Sequence, residues 1–189
     1  MNLPNKLTLL RMILVPALIV LYLLKGLIGN SVLWIMGIVF VIASLTDYFD
    51  GKIARKNDMI TTFGKFMDPL ADKLLVISAL MVLSDNFRFI PSMWLPFWIP
   101  VIIIARELIV TSIRLVAVGE GKIIAASNLG KYKTAVTMVA IIWYFFLMPL
   151  NLDWIHIIGY VLIGSSVLLT IVSGVDYFYK NRKIILESV

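Results

Sequence analysis

Four aspartates stand where an apolar helix has no ordinary use for them. Asp47 and Asp50 lie three residues apart in one apolar stretch, and Asp68 and Asp72 lie four apart in the next. Both spacings put each pair on one helical face. An ionised side chain inside a bilayer is expensive unless it is paired or hydrated, so each of the four needs a reason. Their depths match: Asp47 lies eight residues before Arg55 and Asp72 eight after Gly64, about 12 Å in from each helix end at about 1.5 Å per residue. A short connection makes the two helices antiparallel neighbours, so the four carboxylates can meet at one level. Four such groups cannot all stay ionised unaided, because like charges drive some to protonate. Two divalent cations balance the charge, and hard carboxylate oxygens favour Mg²⁺ or Mn²⁺. Two metals about 3.5–4 Å apart suit in-line displacement at phosphorus. A single aspartate near an interface would more simply cap a helix or pair with Lys52, Arg55, Lys65 or Lys73. Four of them, paired by face and matched in depth, point to a site. Gly51, Ala54 and Gly64 beside them let a bulky ligand approach the backbone.

The elements that must carry these residues are membrane helices. Of 189 residues, 61% are hydrophobic and 15% charged, and the mean hydropathy is +0.98. A soluble domain has about 45–50% apolar and about 25% charged residues. That excludes a soluble enzyme, a disordered chain and a nucleic-acid-binding domain. There are no cysteines, hence no disulfides, thiolate metal sites or Cys nucleophiles. Six apolar segments of roughly bilayer-spanning length occupy about 7–24, 31–54, 64–83, 94–118, 132–149 and 154–179. Turn residues separate them: Gly26, Gly29 and Asn30; Asn57 and Asp58; Asp85, Asn86 and Pro91; Gly119 and Gly121; Pro149 and Asn151. Pro4 and Pro16 start and bend the first segment, and Pro96 and Pro100 mark the early turns of the fourth. No small-residue cleavage site follows Leu24, so the first segment is expected to be a retained span. The expected fold is a single all-α domain, 1–189, with six transmembrane helices.

Charge sets the orientation. The N-terminus, the second-to-third and fourth-to-fifth connections and the C-terminus together hold twelve cations, Lys6 and Arg11 among them. Lys25 and Arg88 are alone on the opposite side. The positive-inside rule places both termini in the cytoplasm, giving a multi-pass protein of the cell membrane with its carboxylates facing the cytoplasm. Trp94, Trp98, Trp154, Tyr177 and Tyr179 fall near span ends and read as an aromatic belt. His156, the single histidine, falls on the outer side, away from the carboxylates.

Read continuously, the segment is Asp47-x2-Asp50-Gly51-x2-Ala54-Arg55-x8-Gly64-x3-Asp68-x3-Asp72. It resembles the signature of the CDP-alcohol phosphotransferase family at all eight fixed positions with the spacing intact. The resemblance implies six membrane helices, cytoplasmic termini and a homodimer. It also implies displacement of CMP from CDP-diacylglycerol by an alcohol. Asp47, Asp50, Asp68 and Asp72 would hold two divalent cations, with Asp72 doubling as general base. Gly51, Ala54, Arg55 and Gly64 would frame the cytidine diphosphate. Physically, Arg55 and the metals would neutralise the charge on the leaving CMP.

Three further stretches resemble the branch of that family whose acceptor is glycerol 3-phosphate. They are Pro4-Asn5-Lys6-Leu7-Thr8 with Arg11, Arg106-Glu107 with Arg114, and Gly130-Lys131-Tyr132-Lys133-Thr134. The resemblance places Asn5 and Thr8 at the CDP-lipid. It places Arg106, Arg114, Lys131, Lys133 and Thr134 at the acceptor phosphate. Such an acceptor needs cations other than the metals, and Lys131, Lys133 and Thr134 open a helix whose backbone N–H groups favour phosphate. Lys131 and Lys133 also fit ordinary cytoplasmic anchors, and Arg106 and Glu107 could simply neutralise neighbours. The same chemistry with inositol phosphate, serine or phosphatidylglycerol as acceptor stays open. So do an intramembrane prenyltransferase, which also holds diphosphate on Asp-rich helices, and a cation transporter.

Overall fold

The computed structural model describes residues 3–56, 62–86, 93–119 and 127–187. Among them the protein is all helix: α1 (Leu3–Leu23), a single turn α2 (Lys25–Ile28), α3 (Val32–Lys56), α4 (Thr62–Asn86), α5 (Trp98–Gly119), α6 (Asn128–Phe146) and α7 (Asp153–Glu187). Six long helices therefore stand where the apolar segments predict them, with shifted ends. α5 starts at Trp98 rather than 94, because Pro96 stays outside the helix and its carbonyl accepts the Ile99 N–H at 3.0 Å. Pro100 then falls in the first turn, where its missing N–H costs nothing. α7 runs 35 residues, about 52 Å, so its last turns extend past a bilayer core of about 30 Å. Pro16 lies inside α1 on an exposed face.

This is a membrane protein, and α1, α6 and α7 are long and apolar enough to cross a bilayer by length and composition alone. α3 is sufficiently apolar only over Val32–Asp47. α4 and α5 are interrupted by Asp68, Asp72 and Lys73 and by Arg106, Glu107 and Arg114.

The bundle is divided along its length. The apolar core gathers Leu18, Leu33, Met36, Phe40, Leu75, Leu80, Ile103, Tyr144 and Phe145 at one end. Asp47, Asp68, Asp72, Glu107 and Lys133 lie beyond it on the same helices, toward the other end. Among the described residues the broadest packing is of α1 on both α3 and α4, and of α7 on both α5 and α6. Lipid tails give no hydrophobic drive for helices to associate, so close approach carries the fit. A Cβ at Gly37 would lie 2.8 Å from the Phe146 ring and 2.9 Å from the Phe145 Cβ, so only glycine lets α3 approach α6 there. Trp34 Nε1 then reaches across to donate to the Phe146 carbonyl at 3.1 Å. At the end away from the carboxylates Tyr22 donates to Asp85, tying α1 to α4.

Candidate active site

α1 is the element that joins the two acidic helices. Thr8 and Arg11 are three residues apart, so both project from one face, and both are buried. Thr8 Oγ1 donates to Asp68 Oδ1 at 2.5 Å. Arg11 Nη1 lies 2.5 Å from Asp47 Oδ1, with the arginine wholly buried and the aspartate 40% exposed. The helix wedged against α3 and α4 thus binds one carboxylate of each. Arg11, expected as a topology-setting cation and within the stretch that resembles the glycerol 3-phosphate branch, is buried against Asp47 and so belongs to the site. Its spacing from Thr8, inside an apolar run, is the signal that could have revealed it.

Asp72 sits one turn beyond Asp68 on α4, partly buried, and feels the charges of Asp47, Arg11, Glu107 and Lys133. Next to it Lys73 Nζ donates to Thr111 on α5, and the Thr111 hydroxyl donates to the Glu107 carbonyl at 2.7 Å. Glu107 accepts from Arg106 Nη1 at 3.1 Å and from Lys133 Nζ. The sequence assigns no role to Lys73 or Thr111, which become visible only where α4 packs on α5.

Asp72 opens onto a cleft of about 770 Å³ whose walls carry Lys73, Arg106, Glu107, Arg114, Lys131, Thr134 and Tyr177. Four of the five residues predicted at the acceptor phosphate therefore line one cleft with the predicted base. The fifth, Lys133, is buried and paired to Glu107. It lines a narrow pocket of about 40 Å³ behind Asp72, walled by Val76, Ile77, Leu80, Ile103 and Met138. α6 enters the cleft with Ser127 as its cap, the hydroxyl accepting the Gly130 N–H at 3.1 Å. This places Lys131 and Thr134 in its first two turns. Tyr177, read from sequence as an interfacial aromatic, is 3% exposed and accepts a hydrogen bond from Arg114 Nε at 3.3 Å. Trp94, Trp98, Trp154 and Tyr179 are exposed, as a belt requires. His156 is buried elsewhere, its Nε2 3.2 Å from Asn151 Oδ1.

Asn5, Asp50, Gly51, Ala54, Arg55 and Gly64 lie on α1, α3 and α4, and their side-chain surroundings fall outside the described residues. Among the described residues no three acidic or histidine side chains form a ready metal site. Asp47, Asp68 and Asp72 nevertheless supply the hard, anionic donors a divalent cation needs. Arg11 on Asp47 shows that cationic charge is already accommodated at that carboxylate.

The family model for CDP-alcohol phosphatidyltransferases matches residues 1–172. The chain is 39% identical over 193 aligned positions to a CDP-diacylglycerol–glycerol-3-phosphate 3-phosphatidyltransferase of Bacillus subtilis, covering 95% of each chain. Proteins with the same name from Wigglesworthia glossinidia brevipalpis and Salmonella choleraesuis are each 35% identical. They cover 95% and 98% of this chain, and 94% and 98% of their own.

Proposed function

The chain belongs to the CDP-alcohol phosphatidyltransferase family, and from that premise we propose that it transfers the phosphatidyl group of CDP-diacylglycerol to glycerol 3-phosphate. The products are phosphatidylglycerophosphate and CMP. The observation that carries this reading is the shared cleft: Asp72 stands on its wall together with Arg106, Arg114, Lys131 and Thr134. A carboxylate for a hydroxyl proton and cations for a phosphate are what a phosphorylated alcohol requires. Serine would bring a single carboxylate, not a phosphate dianion, to a wall that carries Arg106, Arg114 and Lys131.

Asp47, Asp50, Asp68 and Asp72 would hold the divalent cations, Mg²⁺ or Mn²⁺. When bound, these ions supply Lewis-acid stabilisation of the diphosphate. The chain's own residues do the rest. Arg106, Arg114, Lys131 and Thr134 seat the acceptor phosphate and turn its free hydroxyl toward the lipid-linked phosphorus. Asp72 takes the hydroxyl proton as the new P–O bond forms and the bond to CMP breaks, the bridging oxygen leaving with CMP. Asn5, Thr8, Gly51, Ala54, Arg55 and Gly64 frame the cytidine diphosphate, with Arg55 countering the charge of the departing CMP. Thr8 also holds Asp68 in place, and Arg11 does the same for Asp47. Lys133 holds Glu107 in place beside the cleft. Attack is direct, without a covalent enzyme intermediate.

We further propose six membrane spans with both termini in the cytoplasm of a bacterial cell, an active site open to the cytosol, and a homodimer. The acyl chains enter sideways from the bilayer and the water-soluble acceptor from the cytosolic mouth.

The test is incubation of the purified protein with CDP-diacylglycerol and labelled glycerol 3-phosphate, serine or inositol phosphate, with and without a chelator. Label in lipid from glycerol 3-phosphate alone, with stoichiometric CMP and dependence on added Mg²⁺ or Mn²⁺, is the expected result. Transfer to another acceptor at equal or greater rate would overturn the assignment.

A further inference from the structure

Both arginines of the cleft lie against α7, and we propose that α7 sets the acceptor specificity, with Tyr177 and Gly174 as positioning residues for the phosphate-binding arginines. This rests on the reaction proposed above and deepens it. It concerns a stretch beyond residue 172, where the family match ends.

Three observations carry it. First, the Arg114 Nε donates to the Tyr177 hydroxyl at 3.3 Å, and its guanidinium carbon lies 5.6 Å from the centre of the Tyr177 ring. Using Nε for this bond orients the planar fork and leaves its terminal nitrogens to face an anion. Second, a Cβ at Gly174 would stand 3.2 Å from Arg106 Cγ, and one at Gly130 3.5 Å from Arg106 Nη2. Arg106 therefore passes α7 with its stem and reaches the start of α6 with its guanidinium. Cγ is the near end of that stem and cannot yield without moving the whole side chain. Third, Arg106 Nε is buried with no hydrogen-bond partner among the described residues, a donor that an anionic oxygen in the cleft would satisfy.

Gly174 and Tyr177 are one turn apart on α7, so a single helical face supports both cations. A long arginine free to swing would spend binding energy on being ordered when the phosphate arrives. Held on a shelf, the pair is ordered beforehand. Because the two arginines it holds make no contact with Asp47, Asp68 or Asp72 among the described bonds, the shelf acts on acceptor binding and not on the chemical step.

The experiment compares wild type, Tyr177→Phe and Gly174→Ala, purified whole, with glycerol 3-phosphate varied at saturating CDP-diacylglycerol and then the reverse. Tyr177→Phe removes one hydrogen bond to a charged group and keeps the ring, so KM for glycerol 3-phosphate should rise about three- to tenfold. Its kcat and its KM for CDP-diacylglycerol should stay within about twofold. Gly174→Ala should shift the same constant in the same direction. Thermal stabilisation by inorganic phosphate reads the shelf without turnover: Tyr177→Phe should need severalfold more phosphate for the same rise in Tm. An unchanged KM for glycerol 3-phosphate, or equal losses in kcat and in both KM values, overturns the proposal. Wild type that is stabilised by phosphate but does not use glycerol 3-phosphate overturns the reaction and leaves the shelf standing. Phosphate that stabilises wild type and Tyr177→Phe equally overturns the shelf.

Discussion

Lys133 is the residue on which the two ways of placing the acceptor disagree, and a double-mutant cycle with Glu107 decides between them. As a phosphate ligand its loss would be felt in substrate binding; as the buried partner of Glu107 it would be felt in stability. Its side chain is 4% exposed against 25% for Glu107. Glu107 also keeps Arg106 at 3.1 Å. The two single variants should therefore be unequal. Lys133→Met leaves a carboxylate that still has one cation and some water, a loss of about 2 kcal/mol, below the about 3–5 kcal/mol of a fully buried pair. Glu107→Gln strands an ammonium with almost no solvent, which belongs in that higher range. At about 2–4 °C per kcal/mol for a chain of this size, Tm should fall about 4–8 °C in the first and at least about 6 °C in the second. The double variant removes the Lys133–Glu107 pair whole and leaves only Arg106 without its carboxylate, so the effects should fall short of additive by about 1 kcal/mol or more. Thermal unfolding in detergent can be followed on the five tryptophans. Additivity to within about 0.5 kcal/mol would refute the pairing. So would a Lys133→Met protein of unchanged Tm whose only defect is a raised KM for glycerol 3-phosphate.

Other outcomes follow from the same geometry. Asp72→Asn should cut CMP release by about a hundredfold or more, the usual worth of a positioned base, with Tm preserved; near-normal release would remove Asp72 from the chemistry. Thr8→Val should cost about three- to tenfold in turnover by freeing Asp68, and Thr8→Ser should restore it; a fully active valine variant would make the contact incidental. At the other end of the bundle, burial pushes the Lys25 ammonium below the ordinary lysine range, with Asp85 pulling it back up. A cation whose folded pKa is lowered binds fewer protons folded than unfolded. Stability should therefore rise as pH climbs from that lowered value toward about 10.4. The Tm difference between wild type and Lys25→Gln should grow over that interval, and a flat difference would contradict the assignment.

What could be read from residues alone was whatever is local. The i,i+3 and i,i+4 aspartates, the turn residues and the apolar runs located six helices and the acidic faces of two. Arg11 and Tyr177 fell in stretches that resemble the family, but no partner could be named for either, because their types have an ordinary reading at a helix end, a topology charge and an interfacial ring. Only partners 36 and 63 residues away in sequence, Asp47 for one and Arg114 for the other, give them a different meaning. Lys133 shows the same limit: its neighbours Lys131 and Thr134 face the cleft, while it turns inward to Glu107. Hydropathy carries its own blind spot. The ionisable residues that mark the cleft are the ones that keep α4 and α5 from reading as spans by apolarity alone, and on α3 the apolar run stops at Asp47.

The arginine locked beneath Asp47 has a consequence for biogenesis. α1 leaves the ribosome before α3, carrying a guanidinium whose partner is made 36 residues later. Until α3 arrives, that charge lacks its carboxylate and draws α1 toward the interface, against a penalty that reaches about 2.5–3.5 kcal/mol for an arginine at a helix centre on insertion scales. Final seating of the leading helix is thus deferred to the arrival of its successors.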